Sequence, residues 1–186
     1  MKTNAKIYVF IMTVLFLISA FSGYYVALKN QDGARAIVDQ IYATFGFVKT
    51  WNSFSIFLFI FLNNSLKALV ILIFGILFGL VPLIFVFING FAIGMIVFVA
   101  LQKIGAEKVF LGLAPHGILE IPAILLAAGY GLWLGSVFYR SLKYGEPFKA
   151  AFLWALKKYF KVILPLLFLA AIIETYLTSY LLSYVK

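Results

Sequence analysis

The sequence predicts an all-α membrane protein, a bundle of about five transmembrane helices with one or two interfacial amphipathic helices. Three observations carry this. Of 186 residues, 65% are hydrophobic and only 11% are charged, whereas a soluble domain is roughly half apolar and about a quarter charged. Several apolar runs reach the ~18 residues that a membrane-spanning helix needs. The alternating pattern of an outer-membrane barrel is missing. Residues 1–186 read as a single polytopic membrane domain. The formal charge of +9 reads as cations at helix ends facing anionic headgroups, so the bilayer is the expected partner and nucleic acid is not. With no cysteine, neither disulfides nor thiolate metal sites enter the argument.

The first apolar span covers 6–28, preceded by Lys2 and Lys6. The small residues before Gly23 resemble a signal-peptide cleavage site, but apolar sequence continues through Tyr24, Tyr25 and Leu28, which suits a retained span. In residues 33–50, Ile37, Val38, Ile41, Tyr42, Phe45 and Val48 recur at helical spacing while Arg35, Asp39 and Gln40 lie off the stripe. This is an amphipathic helix, expected in the membrane interface or against the outer mouth of the bundle.

Residues 54–101 are almost unbroken apolar sequence. As one helix they would extend about 72 Å, against a hydrocarbon core of about 30 Å. The chain must turn, and Pro82 is the expected place, giving spans near 54–81 and 83–101. A polar loop follows, then a span at 109–139 with Pro115 near its start. Between 140 and 161, Arg140, Lys143, Lys149, Lys157, Lys158 and Lys161 mix with Tyr144, Phe148, Phe152, Trp154 and Tyr159. That mixture marks a membrane interface, with a second interfacial helix near 147–160. The last span is expected at 162–183. Five spans put the N-terminus and the 140–161 segment on one side. The cation bias then favours a multi-pass protein of the cell membrane with its N-terminus cytoplasmic and its C-terminus outside.

Three pairs of glycines at GxxxG spacing, Gly75/Gly79, Gly90/Gly94 and Gly131/Gly135, predict close helix packing inside the bundle and would also suit a homodimer contact. Asn89 beside Gly90 is read as architecture, its amide bonding to a neighbouring backbone or helix.

The polar residues at depth hold the functional question. His116, the only histidine, and Glu120 are i and i+4 and share one helix face. Measured along ideal helices from the expected span ends, His116 lies about 10 Å, Glu120 about 16 Å and Glu174 about 12 Å below the outer face. Asn63 and Asn64 fall about 14–15 Å deep and Lys67 about 20 Å. These six therefore cluster near one level on three spans. The sequon Asn63-Asn64-Ser65 is inaccessible at that depth. Charged groups there must face the interior, pair, or meet water. Three readings follow. One is a structural network, Lys67 with one glutamate and His116 with the other. One is a metal or proton site on His116, Glu120 and Glu174, a donor set for zinc or a similar divalent cation. One is catalysis by a glutamate that activates water, although no HExxH motif or nucleophile with a base is present.

The elements NN at 63–64, GILFGLVP at 75–82, NGFAIG at 89–94, PHGILEIPA at 115–123 and IIETYLT at 172–178 resemble the stage II sporulation protein M family. The resemblance covers roughly residues 60 to 180, and its specific part is the PHGxxExPA element. Members typically follow the late glutamate with a Thr-Pro pair, whereas Thr178 precedes Ser179 here. The resemblance implies an integral membrane protein with these motif residues in its core. It also implies a scaffold or assembly component with membrane or cell-envelope protein partners, since the family's namesake works with cell-wall hydrolases during engulfment. The chain shows no wall-binding domain. A small ion- or proton-coupled transporter or channel is the alternative, and an intramembrane metal-dependent hydrolase ranks third.

Overall fold

The computed structural model describes residues 2–44, 50–178 and 180–181. Among these residues every regular element is a helix. Helix α1 spans Lys2–Lys29, α2 Gln31–Thr44 and α3 Ser53–Phe74. A 65-residue helical stretch, Leu80–Tyr144, is broken at Gly105, where φ 80° and ψ 166° are not helical. It is therefore two legs, α4 (residues 80–104) and α5 (residues 106–144). Helix α6 runs Lys149–Thr178. By length and composition, four helical stretches can cross a membrane. The longest of them folds back at Gly105 and supplies two of the legs.

That the 65-residue stretch doubles back follows from its contacts. A side chain on Gly131 would meet Pro82 and the α3 backbone at Ile71, while Ile93 lines the same cavities as Glu120 and Ile121. Residues at similar separations on either side of Gly105 thus lie side by side, so α4 and α5 are antiparallel. Helix α1 runs alongside both. It packs Ser19 and Ala20 onto Gly90 and Gly94, and Val9 onto Gly129. Its buried positions Ala5, Met12, Ser19 and Ala27 form a narrow seam of mostly small residues. The opposite face of α1 points outward, with Phe10 67% and Phe21 72% exposed. Such exposure of large apolar side chains along a whole helix fits a lipid surround and not water.

The turn expected at Pro82 lies earlier, at residues 75–79, with Phe78 at φ 52° and Gly79 at φ 76°. A glycine in the left-handed region reverses the chain without a Cβ clash. Pro82 then sits in the first turn of α4, where its missing N–H costs no helical hydrogen bond. The separate interfacial helix expected near 147–160 is instead the start of α6. Ala151, Ala155, Tyr159, Ile163 and Leu167 are all buried and keep a four-residue spacing across both parts, so one packed face runs through. Pro115 is expected near the start of its helix. With α5 starting at 106, Pro115 and Pro122 both lie inside the helix, where each removes one backbone hydrogen bond.

Helix α2 packs at the end of the bundle through Ala34 and Val38, against Ala27 of α1 and Met95, Phe98 and Val99 of α4. Arg35 donates to Gln102 at 2.8 Å and Lys103 pairs with Asp39 at 2.6 Å. Ile37 and Tyr42 of the expected stripe are exposed, while Phe45 and Val48 lie outside the described residues, as do Ser179 and residues 182–183. The bundle thus has two ends. Ala5 and Lys6 share a cleft with Lys157, Lys158 and Lys161 at the near end. Helix α2 and the Gly105 reversal mark the far end.

All three GxxxG pairs are used inside the chain. Gly90 and Gly94 receive α1, and Gly75 and Gly79 of the α3–α4 turn meet Gly131 and Gly135 of α5 backbone to backbone.

Candidate functional site

Helix α5 keeps its register through Pro115, so His116 and Glu120 project from one face one turn apart. Glu174 arrives from α6 within Ile173–Thr178, a π-helical turn. Such turns are rare and recur at functional sites. One donor atom from each of His116, Glu120 and Glu174 lies within 4.8 Å of the other two. Among the described residues, none of the three makes a hydrogen bond or ion pair, and His116 Nδ1 is buried without a partner.

The triad borders a cavity of about 680 Å³ whose polar lining also includes Ser53, Asn63, Asn64 and Thr175. The cavity follows α3 from its far-end start at Ser53 down to Asn64, so its long axis points to the far end. Glu120, Asn64, Ile93 and Ile121 also line a smaller chamber of about 130 Å³ that reaches Lys67 and Asn89. Beyond it lies an apolar layer, with Met12, Ile71, Val86, Leu125 and Ala128 packed together.

The six residues expected to cluster are therefore arranged in two steps. His116, Glu120, Glu174, Asn63 and Asn64 share the larger cavity, and Lys67 lies one step deeper. The pairing of Lys67 with a glutamate is not found: among the described residues, no carboxylate lies within the 4.0 Å of an ion pair of its ammonium. Lys67 is exposed and also lines a groove of about 270 Å³ between α3 and α4, with Leu66, Val70 and Val81. Asn63 Nδ2 donates to Asn64 Oδ1 at 3.2 Å. Asn89 Nδ2 donates to the Phe85 carbonyl of its own helix at 2.8 Å, and Asn89 also borders the inner chamber. Thr175 is a member that residue-by-residue reading passes over. Its buried Oγ1 has no partner among the described residues, and only its place beside Glu174 in sequence hints at it.

Fold and site together define a polytopic, all-α membrane protein with a half-buried polar triad among its helices. The chain belongs to the Stage II sporulation protein M family, whose model matches residues 12–179, from the seam of α1 to the end of the π turn. No curated protein and no solved structure gives a significant match.

Proposed function

We propose that the chain is a membrane scaffold or assembly component of the Stage II sporulation protein M kind, and that His116, Glu120 and Glu174 hold a divalent cation that ties α5 to α6. The observation that carries this is the convergence of three donor atoms within 4.8 Å with no hydrogen bond among them. Two carboxylates this close repel each other, and Lys67 pairs with neither. A divalent cation balances both charges and gives His116 Nδ1, or the ring nitrogen beside it, a partner. Imidazole with carboxylates is donor chemistry suited to zinc.

The cavity favours a second reading, that the ion works on something. Three protein donors leave a four-coordinate ion one open position, and about 680 Å³ of space lies beside the triad. This would suit an ion-coupled transporter or a water-activating hydrolase. The apolar packing between the inner chamber and the near end supports a site that keeps its ion over one that passes it through.

The test is elemental analysis of gently purified protein, wild type beside Glu120→Gln and Glu174→Gln, with melting recorded with and without chelator. Near-stoichiometric metal, lost in both variants, with a chelator-lowered melting temperature in wild type only, is the expected result. Metal-free wild type that ignores chelator and fails to take up added zinc would overturn the metal centre.

A further inference from the structure

At the near end of the bundle, far from the triad, lies a cleft of about 440 Å³ between α1 and α6. Lys6, Lys157, Lys158 and Lys161 line it together with Tyr130 and Trp154. No acidic residue is among its lining residues. The nearby acid in sequence, Glu146, is engaged by Arg140 at 3.2 Å. Four ammonium groups facing one concavity repel one another unless an anion sits between them. We propose that this cleft is a binding site for the phosphate headgroup of an anionic membrane lipid, with preference for a lipid carrying two phosphates.

The local chemistry favours a lipid over a soluble anion. The cleft sits where the lysine-rich start of α6 gives way to the apolar run beginning at Val162, which is the level of lipid phosphates. The rings of Tyr130 and Trp154 stand edge-on with centroids 5.2 Å apart, and Lys158 Nζ lies 5.8 Å from the Trp154 ring centre. Lys158 is thus held against an aromatic wall of the kind that sits at headgroup depth. Ile7 and Phe160, sequence neighbours of Lys6 and Lys161, are 58% and 57% exposed and offer apolar surface for acyl chains. Basic pockets between transmembrane helices bind multiply charged headgroups for the same reason. The size of the cleft and its four cations suit two phosphates better than one.

The experiment is native mass spectrometry of the full-length protein with cardiolipin, phosphatidylglycerol or phosphatidylcholine added in defined amounts. The cleft variant is Lys157→Gln/Lys158→Gln/Lys161→Gln. The control, Lys29→Gln/Lys143→Gln/Lys149→Gln, removes as many charges elsewhere. Removing mutually repelling lysines should leave the fold intact, which lipid-free melting checks. We expect wild type to retain cardiolipin over phosphatidylcholine, the cleft variant to lose at least about tenfold in affinity, and the control to stay within about twofold. Equal retention of all three lipids, or equal losses in cleft variant and control, would overturn the site. Pyrophosphate that binds the cleft where cardiolipin does not would assign it to a soluble anion and overturn the lipid.

Discussion

His116 of α5 and Glu174 of α6 bring donor atoms within 4.8 Å of each other from antiparallel helices, and Glu120 lies within the same distance of both. A shared ion would therefore act as a cross-link between the two longest legs of the bundle. We expect Glu120→Gln and Glu174→Gln each to lower zinc affinity by more than the 10–100-fold typical of residues that hydrogen-bond the ligands, and Thr175→Val, whose hydroxyl bonds none of the three, to lower it by less than about tenfold. Competition against a chromophoric chelator measures both. Affinity should also fall as pH is lowered, because every donor must be free of its proton to bind. Equal affinities in wild type and both glutamine variants would remove the triad as ligands.

The crossing of Gly75 and Gly131 sets a separate test. A Cβ at either position would fall on backbone atoms of the other helix, which cannot swing aside as a side chain can. We expect Gly75→Ala and Gly131→Ala each to destabilise the protein by about 1–3 kcal/mol. In Gly117→Ala the new methyl would meet only the Ile121 Cδ1, at 3.7 Å, so its melting temperature should stay at or slightly above that of wild type. Thermal melting in one detergent compares the three. A neutral Gly131→Ala would mean that α3 and α5 do not approach as described.

Gly105 lies in a backbone region that only glycine occupies readily, with φ 80° and ψ 166°. Nothing lies within 4 Å of where its Cβ would be, so any penalty there is conformational and not steric crowding. Gly105→Ala should cost about 1–3 kcal/mol. Its effect should be focused on the far end, seen as faster proteolysis near residues 102–108 without loss of the near-end packing.

The fold class was legible because lipid selects for composition: long apolar runs flanked by interfacial Lys, Trp and Tyr arise where a chain crosses a bilayer and seldom elsewhere. Helix ends were less so. Pro82 marks a turn in sequence, but proline is also at home in the first turn of a helix, so the reversal fell at Gly79. The continuity of α6 was hidden because Lys157, Lys158 and Lys161 read as a boundary, while the buried stripe from Ala151 to Leu167 runs beneath them. His116, Glu120 and Glu174 could be placed at one depth because 1.5 Å per residue is a reliable ruler on a straight helix. The same ruler puts Lys67 about 20 Å deep, yet depth says nothing about azimuth, so whether it pairs with a glutamate was not readable. The π turn around Glu174 leaves no mark in composition at all.

The far-end cavity makes membrane orientation a functional matter, because it decides which compartment supplies the triad. Lys6, Arg140, Lys143, Lys149, Lys157, Lys158 and Lys161 belong to the near-end segments, while Lys29, Arg35, Lys103 and Lys108 belong to the far end beside Asp32, Asp39 and Glu107. Cations in short loops tend to stay in the cytoplasm, so the near end is expected inside and the cavity axis outward. The chain has no cysteine, so single-cysteine variants report cleanly. Ala106→Cys is at the exposed far-end reversal and Pro147→Cys in the exposed near-end connection. In intact cells a membrane-impermeant maleimide should label Ala106→Cys, and Pro147→Cys only after permeabilisation. The reverse pattern would turn the bundle over, expose the triad to cytoplasmic metal, and place the lysine cleft in the outer leaflet.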